Sequence, residues 1–248
     1  MDDTFPPPAR PSWWTFFSVI TLLLLGMGGC WAYSHWERGW RKQRSWDALN
    51  RVRDVALGVQ QYATRYDGWI PPGGAVDDTS PEWSWQVQLL PFLDRDDLYR
   101  RLDFRQPWDA GPNREVAATA LETFLSPYES KPASHWELAL THQAGNARVF
   151  GARRGLNLNE AMKQDSLSAT LMLGEIGAEF PPWAKPGNVR ELTRGLGGGP
   201  GQFRRSAGHG GFAMFLGGNG KYLSPDTSPR VLELLAGPDN GFPRDDEF

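Results

Sequence analysis

The stretch that decides the fold is WWTFFSVITLLLLGMGGCWAY, Trp13 to Tyr33. It carries no charge over about 20 residues, the length a helix needs to cross the hydrocarbon core of a bilayer. Trp13 and Trp14 open it, and Trp31, Tyr33 and Trp36 close it. Amphipathic rings favour the two headgroup layers, so aromatic collars at both ends fit a spanning helix better than a helix buried in a soluble core. Six of the 12 tryptophans (Trp13, Trp14, Trp31, Trp36, Trp40, Trp46) precede residue 47, so the aromatic excess is local. Two readings compete with a span. One is a cleaved secretory leader, but Arg10 stands against Asp2 and Asp3 where a basic segment is needed. The other is a lipoprotein signal ending at Met27-Gly28-Gly29-Cys30, with Trp31 and further apolar residues directly after the cysteine. Charge runs against an outward-facing C-terminal part: Arg38, Arg41, Lys42 and Arg44 follow the segment and only Arg10 precedes it.

Outward from this segment the pattern changes to helical spacing. Trp46, Leu49, Val52, Ala56, Val59, Tyr62 or Ala63, and Tyr66 form one apolar stripe, the mark of an amphipathic helix packed on a core. Continued from the span, such a helix would be roughly 80 Å long, at about 1.5 Å per residue. Gly68 and the run Pro71-Pro72-Gly73-Gly74 stop it. The division that follows is a tail at 1–12, a transmembrane helix at 13–33, an amphipathic helix at 34–67 and an outer domain at 68–248. Within the last part we expect a helix over Trp83–Leu90, a break at Pro91, and a second helix over Asp94–Leu102 with Asp94 as its cap. Residues 114–124 read as helix, 130–160 are ambiguous, Ala169–Ile176 reads as a strand, 195–211 as loop, and Pro229–Ala236 as a terminal helix.

The stretch HGGFAMFLGGNGKYLS, His209 to Ser224, reads as a hairpin. Phe212, Met214 and Leu216 alternate with Ala213 and Phe215 on a strand with two apolar faces. Asn219-Gly220 supplies the expected turn, because both residues tolerate positive φ. Tyr222 and Leu223 form the return strand, and His209 stands at the mouth of the first.

Composition and motifs exclude much. A net charge of -3 argues against a nucleic-acid partner held by bulk electrostatics. A single cysteine, Cys30, rules out an internal disulfide and a cysteine metal cluster. The glycine loop GLGGGPGQ places Pro200 where a dinucleotide fingerprint needs its third glycine, though Arg204 and Arg205 could meet an anion there. Asp94, Asp96 and Asp97 lack the glycine of a calcium loop. Ser166, Asp165 and His142 make a triad only on paper, since any chain this long offers such a set. No cofactor, metal or catalytic residue is expected. Trp83, Trp85 and Trp183 are the candidates for stacking on sugar rings, with core packing as the plainer role.

A set of blocks then carries a family resemblance: ALGVQQYATRYDGWIPPG, WSWQVQLLPFLDRDDLY, DFRQPWD, FLSP, DSLSATLMLGE, PPWAKPGNV, and His209 followed after nine residues by Asn219-Gly220. With these the chain resembles a large planctomycete family of pilin-like membrane proteins that carry a domain of unknown function and end in a His-x9-Asp-Gly motif. Asn219 stands for the family aspartate and Ser126 for a cysteine usual in the family. The resemblance implies a type IV pilin-like α+β fold, with a long N-terminal helix, half of it in the membrane, packed on an antiparallel sheet with extra helices and loops. It also implies a pseudopilin-like, single-pass protein of the inner membrane with its domain outside the cytoplasm. The lipid bilayer is the expected partner of 13–33, with envelope or pseudopilus-like proteins beyond it. A prepilin cleavage site is missing from ARPSWWTFFSVI, so the mature chain is expected to begin near Met1. The expected role is structural or in interaction and not enzymatic; the alternative is a membrane-tethered module that binds polysaccharide or another solute. His209, Asn219 and Gly220 form a motif of unknown role.

Overall fold

The computed structural model describes residues 13–74, 83–129, 134–135, 137–164, 167–196, 199, 201–203 and 210–240; of residues 13–30, 32, 41, 134, 135 and 240 it describes the backbone alone. The chain divides into two compact units, Met1–Ser45 and Trp46–Phe248.

Helix α1 spans Trp13–Arg65. In the first unit, Trp31, Tyr33, Trp36 and Trp40 are exposed, and Tyr33, Trp36 and Trp40 form a ladder with ring centroids 6.3 and 5.8 Å apart. Among the described residues no helix is long and apolar enough to cross a membrane. The side chains of 13–30, on which a span would depend, lie outside those described.

In the second unit, α1 buries Ala48, Val52, Val55, Ala56, Val59 and Ala63. The stripe therefore runs as expected through its middle and departs at its ends, where Trp46 and Tyr66 turn to solvent at 61% and 48% exposure. Positions 48, 52, 55, 59 and 63 keep the 3.6-residue period; Trp46 falls off that line, and Tyr66 stands just beyond the last helical residue, Arg65. Helix α2, Trp85–Leu89, starts where the Ser84 hydroxyl accepts from the Val87 N–H, and it runs on into a 3-10 turn at Leu90–Phe92. Helix α3 covers only Asp96–Tyr99. Its cap is Arg95 and not Asp94, which takes a left-handed φ of 55° while the Arg95 N–H closes on the Leu90 carbonyl. Asp tolerates that conformation, so Asp94 ends one helix rather than beginning the next. Helix α4 is Gly111–Ala117, displaced from the expected 114–124 because Pro112 fits its first turn; a 3-10 turn follows at Glu122–Phe124.

The ambiguous region holds the short pair β1, Ser134–His135, and β2, Leu138–Ala139, then β3, Gln143–Asn146, and helix α5, Leu158–Lys163. Strands β4, Leu171–Glu175, β5, Val189–Arg190, β6, Gly211–Phe215, and β7, Gly220–Leu223, complete a five-stranded sheet in the order β5-β3-β4-β6-β7. The pairings are antiparallel except β3 with β5, which is parallel, a departure from the antiparallel sheet expected. Helix α6, Pro229–Ala236, is capped by the Ser228 hydroxyl on the Val231 N–H. The protein is thus α+β.

The sheet separates two cores. Val52, Val55, Val59, Met172, Leu173 and Met214 belong to one, and Leu171, Ala213, Phe215, Val231, Leu232 and Leu235 to the other. Met214 and Phe215 face opposite ways, as period-two alternation demands. Leu171 and Leu173 would share a face on a regular strand; a register shift between them sends them to different cores.

The hairpin forms, but its turn is not Asn219-Gly220. Gly220 already pairs with Met214 in the ladder, and neither Asn219 nor Gly220 has positive φ. Gly218 does, at 84°, with its N–H bonded to the Phe215 carbonyl and the Phe215 N–H bonded to the Asn219 carbonyl. This is a three-residue loop, Leu216–Gly218, closed by a left-handed glycine. Gln60 on α1 donates to the Leu216 carbonyl and pins the loop to the helix. Gly218→Val should therefore destabilise the unit by about 1–3 kcal/mol through backbone strain. Gly220→Val should also destabilise, by packing instead, since an added Cβ would sit 2.8 Å from Met214 Sδ and 2.9 Å from Leu49 Cδ1. Asn219→Asp should be nearly neutral. Chemical unfolding of the full chain in detergent checks all three; an unchanged midpoint for Gly218→Val would place the turn elsewhere.

Candidate functional site

Among the described residues, two of the places that gather polar or aromatic side chains bear on function. The first is an open groove of about 380 Å³ bordered by Pro72, Trp83, Gln88, Tyr99, Phe104 and Arg153. The walls come from stretches well separated along the chain. Trp83 precedes α2, Gln88 lies within it, Tyr99 ends α3, and Arg153 follows the loop after β3. Phe104 is held by Asn113 of α4, which is fully buried. Its side chain accepts from the Asp103 N–H at 2.8 Å and donates to the Asp103 and Pro107 carbonyls, each at 2.9 Å. That buried amide fixes the 103–107 turn and leaves the Phe104 ring 39% exposed. The ring lies 4.9 Å from Trp83 and 5.0 Å from Tyr99, centroid to centroid, tilted by 58° and 52°.

The polar groups of the groove are set from behind. The Tyr62 hydroxyl donates to Gln88 Oε1 at 2.9 Å, which leaves the Gln88 amide N–H groups as the free end. Burial, with the Tyr66 and Tyr99 phenols nearby, pushes Tyr62 up to about 12, so in neutral solution it stays a donor. Tyr99 is raised too, by burial first, then by Tyr66 and Asp96.

The second place is a buried cluster at the end of β4. Glu175, 2% exposed, accepts from the Ser126 hydroxyl at 2.7 Å and from the Phe212 N–H at 2.9 Å. The Ser126 N–H donates to His142 Nδ1 at 3.0 Å, so the ring proton of His142 sits on Nε2. His142, also 2% exposed, packs on Phe180 with centroids 4.4 Å apart. The Ser126 hydroxyl is turned to the carboxylate and not to the imidazole, so the cluster is not a nucleophile with its base. It is a clamp that ties β4, β6 and the segment after the 122–124 turn together.

The sequence candidates meet different fates. Trp85 and Trp183 are both 0% exposed, with their indole N–H groups on the Asn188 and Thr119 carbonyls; they are core residues and present no ring to a ligand. Trp83 alone borders the groove. Asn219 and Gly220 lie in the hairpin just described. His209, Arg204, Arg205, Asp165 and Ser166 fall outside the described residues. Of the acidic trio, Asp96 pairs with Arg100 and Asp97 with Arg95. Among the described residues no group of three His, Cys, Asp or Glu side chains is placed to hold a metal. Sequence reading missed Gln88, Tyr99, Phe104 and Arg153. The only local signal was the aromatic content of the blocks that contain the first three.

A mixed helix-and-sheet unit with a bordering aromatic groove is the class the geometry defines. Residues 42–182 match the family described as a protein of unknown function, DUF1559. The match covers more than half of the chain, and the chain belongs to that family. No curated protein and no solved structure matches it.

Proposed function

We propose that this chain is a membrane-anchored, pseudopilin-like protein of the cell envelope, whose α+β unit faces away from the cytoplasm and works by interaction and not by catalysis. One observation carries the reading: a single helix, Trp13–Arg65, bears the uncharged segment toward its N-terminal end and packs its C-terminal turns on one face of a largely antiparallel sheet. That is the pilin-like plan, in which the anchor and the domain share one element. The exposed Trp31, Tyr33 and Trp36 sit where such an anchor would meet the headgroups. The partners are the bilayer through 13–33 and other envelope proteins. Inner-membrane fractions washed at alkaline pH should retain the chain, and a reporter fused after Phe248 that works only in the cytoplasm should be silent. An active reporter would turn the domain inward, as the four cations after the segment alone would suggest.

The groove favours a second role for the same domain, as a tethered module that binds a polysaccharide or another solute. Trp83 and Phe104 offer partly exposed rings beside set polar groups, the usual make-up of a ligand site.

A further inference from the structure

We propose that the part of α1 from Trp31 to Arg44 is a collar that selects anionic phospholipids, with Arg38, Lys42 and Arg44 on the lipid phosphates and the aromatic rings just beneath them. The proposal rests on the membrane-anchored reading and names the class of lipid that the anchor gathers. All of these residues lie in the first compact unit, Met1–Ser45. At about 100° per residue they fall in two stripes on opposite sides of the helix. Tyr33, Trp36, Trp40 and then Arg44 make one; Trp31, His35, Arg38 and Lys42 make the other. Both stripes run the same way, rings first and cations after them. A helix leaving a bilayer needs that order, since amphipathic rings settle where apolar and polar layers meet and charges stay in the polar layer. The rings are exposed and pack along the helix, Trp31 on His35 with centroids 4.7 Å apart and Trp36 against Trp40 at 5.8 Å.

The cations lean back toward the rings, because side chains on a helix tilt toward its N-terminus. Arg38 donates to the Ser34 carbonyl at 3.0 Å and lies 3.2 Å from His35 Nδ1, so its guanidinium turns toward the uncharged segment without meeting a carboxylate. Arg44 borders an open hollow of about 390 Å³ with Trp36, Glu37 and Trp40. Lys42 and Arg44 enter no ion pair among the described residues. From 34 to 45 the chain carries four cations, Arg38, Arg41, Lys42 and Arg44, against the one carboxylate of Glu37. The occupant of this surface therefore brings negative charge. It also surrounds the helix, since both stripes are exposed. A protein docked on one stripe would leave the other bare, whereas a layer of anionic headgroups meets both. The cations that oppose an outward-facing domain thus gain a role that holds in either orientation.

The test reconstitutes the full chain in phosphatidylcholine bilayers with a trace of spin-labelled phosphatidylglycerol or spin-labelled phosphatidylcholine. Electron paramagnetic resonance reads the fraction of each label immobilised at the protein. We expect phosphatidylglycerol to be favoured about fivefold at low salt, the contribution of one cation at a membrane surface. The preference should shrink at high salt. The triple change Arg38→Gln, Lys42→Gln and Arg44→Gln should bring the ratio close to one. Arg53→Gln, Arg65→Gln and Lys185→Gln together remove the same charge from exposed positions of the second unit and should leave the ratio as it is. A parent ratio of one, a collar variant that keeps the preference, or an equal loss in the control variant overturns the proposal and leaves the anchor standing. Glycerol phosphate that abolishes the preference, where chloride at the same ionic strength does not, marks a site for free phosphate esters and overturns it too. Immobilisation of neither lipid, with release of the chain by the alkaline wash, overturns the proposal together with the anchored reading.

Discussion

Trp183→Ala should lower the stability of the α+β unit by about 3–5 kcal/mol, the range for deleting a large aromatic side chain from a core. Trp183 is wholly buried and stacks near Phe124, with ring centroids 6.1 Å apart. Its indole N–H donates to the Thr119 carbonyl at 3.0 Å, and its own carbonyl accepts the Ser84 hydroxyl at 2.6 Å. Truncation would leave a cavity and an orphaned acceptor at Thr119. Trp85→Ala should behave alike, since Trp85 packs on Phe150 with centroids 4.6 Å apart and donates to the Asn188 carbonyl. Trp83→Ala should be milder, about 1–2 kcal/mol, because the residue is only half-buried. Its loss should show in binding. Urea unfolding of the three variants in detergent measures the order; a Trp183→Ala midpoint equal to the parent would mean that this ring is not structural.

Glu175→Leu should be the next most damaging change. A buried carboxylate here satisfies two donors at once, the Ser126 hydroxyl and the Phe212 N–H. Removing it strands both, at about 1–3 kcal/mol each. Ser126→Ala removes one donor and should cost about 1–3 kcal/mol, since Glu175 keeps its other bonds. The double variant is the informative one. With Ser126 already alanine, Glu175→Leu strands one donor fewer, so the two losses should sum to more than the loss in the double variant. Strict additivity in a denaturant series would show that the 2.7 Å contact carries no coupling.

Much of the architecture was legible because it rests on short-range chemistry. Ser228-Pro229 before Val231, Leu232 and Leu235 announces α6, since a hydroxyl cap, an N1 proline and a one-sided apolar face are all local. Leu171–Glu175 was legible as a strand from its apolar run, and the middle of α1 from its period. The strand pattern of Phe212 to Phe215 likewise marked the hairpin.

The site depended on what local patterns do not contain. Trp83 and Trp85 are two positions apart, yet one borders a groove and the other fills the core. Only the packing of α2 against Phe150 and the Asn188 carbonyl decides which. Asn219-Gly220 is a strong turn signal, but the register of β6 with β7 and the hold of Gln60 on Leu216 place the left-handed residue at Gly218. The groove itself joins Pro72, Trp83, Tyr99, Phe104 and Arg153, residues up to about 80 positions apart. Caps and periods are set by neighbours along the chain, and so the sequence alone determined such elements as the middle of α1, β4 and α6, while the strands within 134–146 and at Val189–Arg190 were not legible in it. Burial, register and the meeting of distant side chains are set by how those elements pack, and so only the tertiary structure decided which aromatic rings are free to bind.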